Sequence, residues 1–436
     1  MILFSRIICR TVKKKRLLII ELNEFNEELL EKSSKDLKLN NIKRFLQMNN
    51  SETISMDEKE HFGLDPWVQW VSIHTGYPHE IHKIDHLADV VNLTYPQIWE
   101  TLGEKGYSSG IWGAMNASRN NAKGCCFFLP DPWTYSEKAV PEVINDFLAL
   151  PRYFSKNYLS ISFSRVIPMI LKLFKFITFE GNIFYLRREI FYSLKCLFKV
   201  GLNDNLLFSL FDLFSAKIFI KFKRIYNPDF SIIFLNGLAH AQHKDWFKNK
   251  LNKNMKFTIK TVDKILGIIF DDLSENDSIL ILNGLGQKNV AGSEHYVYRQ
   301  NDPKLFLKNM KINFLDLEQC MTNESHVTFN NISELNYAFN LLKNASINGE
   351  KLFYVEKNGK NSKKLFFQLD YFRSSKINAE FIVDKKNYKF FNYFSLLAKS
   401  TGLHTPYGKA YFKNFKLKNS LYNHEINKYI LKHFSS

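Results

Sequence analysis

Short apolar runs, each followed at once by polar or glycine residues, recur along the chain and predict buried strands. The runs are Leu17–Ile20 (LLII), Phe230–Leu235 (FSIIFL) and Asp277–Leu282 (DSILIL). Continuous runs of this length are typical of strands that are buried on both faces of a parallel sheet. Open parallel sheets carry their sites at the carboxyl ends of the strands. The polar residues that follow the runs are therefore the first candidates for a functional site.

Segments with the helical spacing of apolar residues lie between these runs. They are Glu27–Met48, Tyr95–Lys105 and Leu251–Leu273, and YSSGIWG (107–113) predicts a further strand. The stretch His61–Gly76 is interpreted as a loop that leads into a mixed apolar segment. Strand, helix and strand, with polar and glycine residues after each strand, is the βαβ pattern. We therefore expect an α/β core with a mainly parallel sheet flanked by helices.

The segment Arg152–Arg224 has a different composition, because it is rich in Phe, Leu and Ile and has 13 basic but only 4 acidic residues. Its pattern predicts several amphipathic helices. Basic amphipathic helices are candidate membrane-surface elements. The other interpretation is a helical subdomain whose Phe face packs on the core while its Lys side chains face water.

Beyond Pro303 the pattern becomes that of a smaller α+β insertion, with strands in LFYVE, KKLFFQLDYF and AEFIVD and a helix over Ile332–Leu342. The segment Gly402–Gly408 follows and is predicted to be a glycine-bounded loop that carries His404.

At 436 residues the chain is long enough for one core with insertions. The expected parts are a first core part at 12–150, a basic helical insertion at 151–225, a second core part at 226–303, an α+β insertion at 304–398 and a core closure with the last site histidine at 399–436.

The composition, 45% hydrophobic and 24% charged, is that of a folded protein. A formal net charge of +17 indicates an anionic partner, such as a phosphate ester, an acidic glycan, a nucleic acid or a membrane surface. Because no nucleic-acid-binding module is recognisable, we do not expect a nucleic acid partner. The sequence also has no GxGxxG, Walker A or GxSxG motif, which removes the usual signals for dinucleotide, nucleoside triphosphate and serine hydrolase sites.

The five cysteines contain no CxxC pair, so the sequence indicates neither a disulfide framework nor a thiolate zinc site. The first residues, MILFSRIICRTVKKKR, place the apolar part before the basic cluster, which is the wrong order for a signal peptide. No apolar run approaches the length of a membrane-spanning helix. We expect a cytoplasmic protein, with peripheral contact to the inner face of the membrane through residues 152–224.

The order of motifs along the chain resembles the alkaline phosphatase superfamily, in particular its type I phosphodiesterase and nucleotide pyrophosphatase branch. The matching segments are the carboxylate Glu21 after the first run, TGYPHEIH (75–82), IWETLGEKGYSSGIWG (98–113), the strand at Pro228–Leu235 with His243, and His404 with Gly408. The resemblance implies an alkaline-phosphatase-like core. It also implies that Glu21 takes the place of the family's first Asp metal ligand and that His243 and His404 match two of its metal histidines.

Three departures from the family pattern change what the resemblance implies. The position of the Ser or Thr nucleophile falls in Pro66–Gln69, and Ala239 stands where the family has an Asp ligand. Asn283–Gly286 (NGLG) replaces the family's Ser-Asp-His-Gly, which removes two more ligands. One metal ion, zinc, is therefore expected rather than two, and attack by water rather than through a covalent intermediate.

The metal site implied in this way consists of His240, His243 and His404 with a water, the open pattern of a catalytic zinc. Glu21 would hold a second cation or act as a base, so that Glu21 and His240 are the catalytic candidates. In the alternative, His243 and His404 are relics and His240 only forms hydrogen bonds. Glu21 would then cap a helix or bind the basic cluster.

Other polar residues are candidates for substrate binding, because amides fix hydroxyl groups and aromatic faces stack on rings. They are Asn23, Gln69, His74, Asn116, Asp131, Asn236 and Gln287. Asp131 has a second interpretation as a turn residue. Trp67, Trp70 and Trp133 could stack on a ligand or pack in the core.

Two functions are consistent with these observations. The first is a metal-dependent hydrolase or transferase that acts on a phosphate ester or phosphodiester, glycan-linked as in polysaccharide metabolism or lipid-linked. The second is a catalytically inactive protein of the same fold that binds an anionic glycan or a protein partner. A membrane-surface scaffold that uses Arg152–Arg224 is a third interpretation.

Overall fold

The computed structural model describes residues 15–56, 64–157, 162–247, 251–292, 295–319, 323–357 and 362–435. The chain divides into two compact units. The first comprises Met1–Ala241, Leu251–Lys288 and His404–Ser436, and the second comprises Gln242–Lys250 and Asn289–Leu403. The candidate site of the first unit is built on its sheet.

The first unit contains an eight-stranded sheet with the strand order β20-β2-β19-β6-β1-β5-β3-β4. Its strands are β1 (Leu17–Leu22), β2 (Asn49–Ile54), β3 (Ser109–Trp112), β4 (Cys125–Leu129), β5 (Phe230–Leu235), β6 (Ser278–Leu282), β19 (Tyr407–Lys413) and β20 (Ser420–Tyr422). The pairs β1–β5, β1–β6, β3–β5, β3–β4 and β2–β20 are parallel, and β19 runs antiparallel to β6 and β2. The predicted α/β fold with a mainly parallel sheet flanked by helices is confirmed.

Twelve described helices accompany this sheet. They are α1 (Glu27–Asp36), α2 (Asn40–Leu46), α3 (Pro66–Thr75), α4 (His79–His82), α5 (Ile98–Glu104), α6 (Asn145–Asn157), α7 (Phe163–Phe179), α8 (Ile183–Val200), α9 (Asp204–Tyr226), α10 (Gly237–Asp245), α11 (Lys253–Phe270) and α14 (Ile426–Ser435). The division between the units falls inside α10, after Ala241. None of the described helices is long and apolar enough to cross a membrane.

The single helix predicted over Glu27–Met48 is two helices, α1 and α2. Lys38 adopts a left-handed backbone conformation with φ 55°, which ends the first helix. The second helix is capped from a distance, because Asp263 Oδ1 on α11 accepts hydrogen bonds from the backbone N–H groups of Asn41 and Ile42, both at 2.9 Å. A cap 222 residues away in the chain is not visible in local periodicity.

The mixed apolar segment that ends at Gly76 and the predicted loop Gly402–Gly408 are both regular, whereas residues 61–63 of the first predicted loop lie outside the described residues. Residues 66–75 form α3, with a proline in the first turn and Gly76 at φ 80° after the last. Nearly all of α3 is buried, so its apolar positions show no one-sided period. The segment Gly402–Gly408 is not a loop, because it contains β18 (Gly402–Thr405) and the start of β19. A Cβ on Gly408 would lie 2.5 Å from both Asn283 Oδ1 and Thr53 Oγ1, so this strand requires glycine there.

The basic helical segment has helices of two kinds. The long helix α9 packs on β3 and β4, where Phe219 and Phe222 contact the rings of Trp112 and Phe127 at centroid distances from 5.6 to 6.5 Å. In contrast, α7 and α8 expose many large apolar side chains. The interpretation that a Phe face packs on the core therefore holds for α9.

The second unit is an α+β structure. Its strands are β8 (His295–Gln300), β9 (Asp316–Gln319), β10 (Glu324–Thr328), β11 (Ser346–Ile347), β12 (Glu350–Lys351), β13 (Phe353–Lys357), β14 (Lys364–Leu369), β15 (Glu380–Val383), β16 (Lys386–Lys389) and β17 (Phe394–Ser400), and its helices are α12 (Pro303–Asn309) and α13 (Ile332–Lys343). The sheet orders are β13-β14-β10-β9, β12-β11-β15-β16 and β17-β8. The chain passes between the units within β7 (Gly286–Asn289) and again within β18.

Candidate functional site

The carboxyl end of β1 lies between the ends of β5 and β6. After the last strand residue, the backbone N–H of Asn23 donates to Leu235 O at 3.0 Å, and that of Glu24 donates to Asn283 O at 2.9 Å. Glu24 adopts a left-handed conformation with φ 56°, which is uncommon for a residue with a side chain. The two hydrogen bonds fix this turn and thereby the backbone position from which the Glu24 side chain projects.

The carboxylate of Glu24 is buried, with 3% of the residue exposed, and it accepts hydrogen bonds from the described side chains of Asn23, Gln287 and His404. Asn23 Nδ2 donates to Oε1 at 2.8 Å. Gln287 Nε2 and His404 Nε2 both donate to Oε2, the histidine at 3.0 Å. Glu24 is therefore the centre of a cluster of polar side chains from four chain segments: 23–24, 236, 287 and 404.

His404 lies between two groups that can only accept hydrogen bonds. Its Nδ1 is 2.5 Å from Leu64 O, and its Nε2 faces the Glu24 carboxylate. Because each nitrogen must carry a proton to donate, the ring is an imidazolium and forms an ion pair with Glu24. Burial alone lowers the pKa of His404, but the charge and hydrogen bond of Glu24, the charge of Asp65 and the Leu64 carbonyl together outweigh it and raise the pKa to about 9.

Asn23 and Asn236 hold the cluster in position. Asn23 Nδ2 also donates to Asn236 Oδ1 at 2.9 Å, and Asn23 Oδ1 accepts from the indole of Trp70 at 2.8 Å. Gln287 Nε2 lies 3.3 Å from Ala239 O on α10. Trp70 is fully buried, so it is a core residue whose indole N–H finds its hydrogen-bond acceptor in Asn23.

Glu21 lies within β1, with its Cα partners Phe234 and Leu282 in the neighbouring strands. Its Oε1 is 2.7 Å from His74 Nε2, and both side chains are buried. Glu21 Oε2 and His74 Nδ1 have no hydrogen-bond partner among the residues that the structure describes. The structure thus brings two of the predicted site residues, Glu21 and His74, together as a buried pair.

The two predicted histidines after β5 lie on α10. The ring of His240 stacks on Phe208 of α9 at a centroid distance of 4.1 Å, and its backbone N–H donates to Asn236 O. His243 belongs to the second unit, where its Nδ1 donates to Gly402 O at 3.0 Å.

Helix α10 begins on a buried carboxylate that sequence reasoning did not single out. Asp212 Oδ2 on α9 accepts the backbone N–H of Gly237 at 2.7 Å, and burial raises the pKa of Asp212 to about 7. A carboxylate interacts favourably with the N-terminus of a helix, which explains why Asp212 lies beside the first residue of α10.

Gln69, Asn116 and Asp131 form hydrogen bonds within the fold. Gln69 Oε1 accepts from Asn423 Nδ2 at 2.8 Å, and Asn116 Nδ2 donates to His86 O at 3.1 Å. The oxygens of Asp131 accept four hydrogen bonds of 2.7 to 2.8 Å, from the backbone N–H groups of Asn116, Trp133 and Thr134 and from the Thr134 hydroxyl. This geometry is that of a turn-forming aspartate.

We expect Asp131→Ala to destabilise the fold by about 3 kcal/mol, because it leaves buried donors without an acceptor. Urea unfolding measures the loss, and Asp36→Ala, at an exposed helix position, is the control with an expected change within about 0.5 kcal/mol. Unchanged stability together with weaker ligand binding would instead assign Asp131 to a binding site.

Sequence reasoning missed Glu24, although it named the neighbouring Glu21 and Asn23. The apolar run ends at Ile20, but the strand continues to Leu22. The carboxylate that follows the strand at the carboxyl edge of the sheet is therefore that of Glu24, three positions after Glu21. The available signal was the whole segment ELNE (21–24), which offers two carboxylates rather than one.

No family model matches the chain, and no curated protein matches it. Some solved structures are similar to this chain. Phosphonoacetate hydrolase from Sinorhizobium meliloti 1021, in complex with phosphonoformate, covers 97% of this chain and 96% of its own at 10% identity and a TM-score of 0.47. The murine ectonucleotide pyrophosphatase/phosphodiesterase 5, an inactive variant in complex with AMP, covers 97% and 95% at 10% identity and a TM-score of 0.48. The human protein of that name covers the same shares at 10% identity and a TM-score of 0.47.

Proposed function

We propose that the chain is a metal-dependent hydrolase of a phosphate ester or phosphodiester, with Glu24 and His404 as ligands of one divalent metal, zinc. The observation that carries the proposal is the Glu24–His404 pair at the carboxyl edge of the sheet, in which the carboxylate is buried and the imidazole is part-buried. A carboxylate oxygen and an imidazole nitrogen are both zinc ligands. Two such ligands on one tetrahedral zinc lie about 3.4 Å apart, and the corresponding atoms here are 3.0 Å apart.

The nitrogen that faces Glu24 is the one that would bind the metal. Leu64 O fixes the orientation of the His404 ring through Nδ1, as hydrogen bonds to the second nitrogen do for metal-bound histidines. Metal binding at Nε2 requires the loss of one proton from the imidazolium. His243 stays in the proposed ligand set because of its place in the sequence.

The neighbouring residues have roles that do not depend on the metal. Asn23 and Gln287 hold the Glu24 carboxylate through their amide groups, and Asn236 holds Asn23. A divalent ion held there would supply Lewis-acid polarisation of a phosphoryl oxygen. Since residues 66–69 offer no Ser or Thr as nucleophile, water is the proposed attacking group.

The proposed substrate is anionic, because the chain carries a formal net charge of +17. We extend the proposal to a glycan- or lipid-linked phosphate ester and to a location at the inner face of a membrane. The basic helical segment supports that location through its composition, 13 basic and 4 acidic residues over Arg152–Arg224.

The test is hydrolysis of bis(p-nitrophenyl) phosphate and p-nitrophenyl phosphate by the zinc-loaded chain. We expect release of nitrophenolate that EDTA abolishes and zinc restores. The variant Glu24→Gln should reduce the rate of this release at least about 100-fold. Glu52→Gln, an exposed carboxylate on β2, is the matched control. If the zinc-loaded chain turns over neither ester faster than the control without protein, the hydrolase proposal is wrong.

A catalytically inactive relative of this fold is the second candidate, and one contact favours it. Asn283 lies in the segment that matches the family's Ser-Asp-His-Gly. Its Oδ1 accepts from the backbone N–H of Lys409 at 2.9 Å and its Nδ2 donates to Phe25 O at 3.1 Å. Because both ends of this amide bind the backbone, Asn283 serves the fold here. A chain that binds phosphate esters with zinc but does not hydrolyse them would support this candidate.

A further inference from the structure

Helices α7 and α8 expose apolar and basic side chains side by side. On α8 the exposed apolar residues are Phe184, Phe191, Leu194 and Phe198, and the three phenylalanines are 76%, 73% and 88% exposed. Their spacing of 7, 3 and 4 residues places them on one face of the helix. Exposed side chains of this size are uncommon on a soluble surface unless something covers them.

Basic residues lie on the same face of α8. Arg187, Arg188 and Lys195 are exposed and occupy positions three, four and eleven after Phe184. The acidic residue of this helix, Glu189, is buried and therefore does not face water. The exposed face of α8 thus combines phenylalanines with cations, and no exposed carboxylate on the helix opposes them.

Helix α7 repeats this arrangement. Ile167, Ile170, Leu171 and Phe174 are exposed at positions i, i+3, i+4 and i+7, which form one stripe. Lys172 and Lys175 are exposed beside this stripe. Glu180, which follows the helix, is an exposed carboxylate.

The exposed faces are not the ones that attach these helices to the first unit. On α8 the opposite face provides the contacts, because Tyr192 Oη lies 3.0 Å from Thr261 Oγ1 on α11 and Tyr185 Oη donates to Lys217 O on α9 at 3.3 Å. On α7 the buried Phe176 contacts Phe147 of α6 at a centroid distance of 5.5 Å. Each helix is therefore held by one face and presents the other.

We propose that α7 and α8 form a docking surface for an anionic lipid bilayer. The phenylalanines would enter the boundary between headgroups and acyl chains, and the Arg and Lys side chains would bind lipid phosphates. The excess of exposed cations favours an anionic bilayer over a neutral one or a second copy of the chain, which would bring like charges together. This inference rests on the proposed function in one respect only, namely that the substrate of the hydrolase is located at the membrane.

Vesicle flotation with the full chain tests the proposal. Vesicles of phosphatidylcholine are compared with vesicles that contain about 30% phosphatidylglycerol, at low and high salt. We expect binding to the anionic vesicles that weakens with salt and that the triple variant Phe184→Ser, Phe191→Ser, Phe198→Ser reduces at least tenfold. The charge variant Arg187→Gln, Arg188→Gln, Lys195→Gln should also reduce binding and weaken its dependence on salt.

The matched control replaces three exposed apolar residues of the second unit, Leu305→Ser, Leu315→Ser and Ile377→Ser, and should bind as the unmodified chain does. Circular dichroism verifies that all variants are folded. Absence of binding to either vesicle, or binding that the phenylalanine variant leaves unchanged, would overturn the proposal. If the chain forms a dimer in the absence of lipid and the phenylalanine variant dissociates it, the surface binds a second copy of the chain instead. Vesicle binding without ester hydrolysis would keep the docking surface and count against the hydrolase.

Discussion

Glu24→Gln is expected to lower the zinc affinity of the chain at least about 100-fold. The replacement keeps the shape of the side chain but removes the charge that the metal requires. Mutation of residues that only orient a ligand costs 10- to 100-fold in metal affinity, so loss of a direct ligand should cost more. Competition with a chromophoric chelator at pH 7.5 measures the affinity, and mass spectrometry of the metal content gives the stoichiometry. His404→Gln should have a comparable effect.

Two controls separate the metal site from the fold. Glu52→Gln on the exposed side of β2 should leave the affinity unchanged. Glu21→Gln tests the other predicted carboxylate, which the structure pairs with His74, and should affect stability more than affinity. If Glu21→Gln abolishes zinc binding and Glu24→Gln does not, the ligand is the one that the sequence analysis named.

The strands of the sheet could be predicted from sequence more readily than the helices around them. Phe230–Leu235 is both the predicted run and the strand β5, because Pro228 and Asn236 limit it on either side. The break between α1 and α2 could not be predicted, since it depends on Asp263 from another part of the chain. Helix α3 has too many buried positions to show the period of a surface helix.

The candidate site was predictable only in part, and for a related reason. The sequence placed His404 in it through the resemblance, and His404 stays a predicted ligand. It did not name Glu24, because the left-handed turn at this residue is fixed by hydrogen bonds to β5 and β6 and not by a glycine or asparagine at that position. Asp131 is of a residue type that often binds ligands, yet it accepts hydrogen bonds from three backbone N–H groups and the Thr134 hydroxyl of the fold itself.

The fold should lose stability as the pH rises through about 9, if no metal is bound. The pKa of His404 is raised from 6.5 to about 9 in the folded chain. The folded state therefore holds this proton more tightly than the unfolded chain does. The stabilisation is fully present below pH 6.5 and is lost as the pH rises through about 9. At about 1.4 kcal/mol for each pKa unit, the loss is about 3 kcal/mol.

Urea unfolding in EDTA at pH 6 and at pH 9.5 measures this change, and the comparison with Glu24→Gln isolates the ion pair. In that variant the burial of His404 is no longer outweighed by the carboxylate, so its pKa should fall towards 6.5. The difference between the two pH values should then shrink by most of the 3 kcal/mol. Histidine resonances in a pH titration report the pKa directly. A His404 resonance in the unmodified chain that titrates near 6.5 would show that Glu24 and His404 do not form an ion pair.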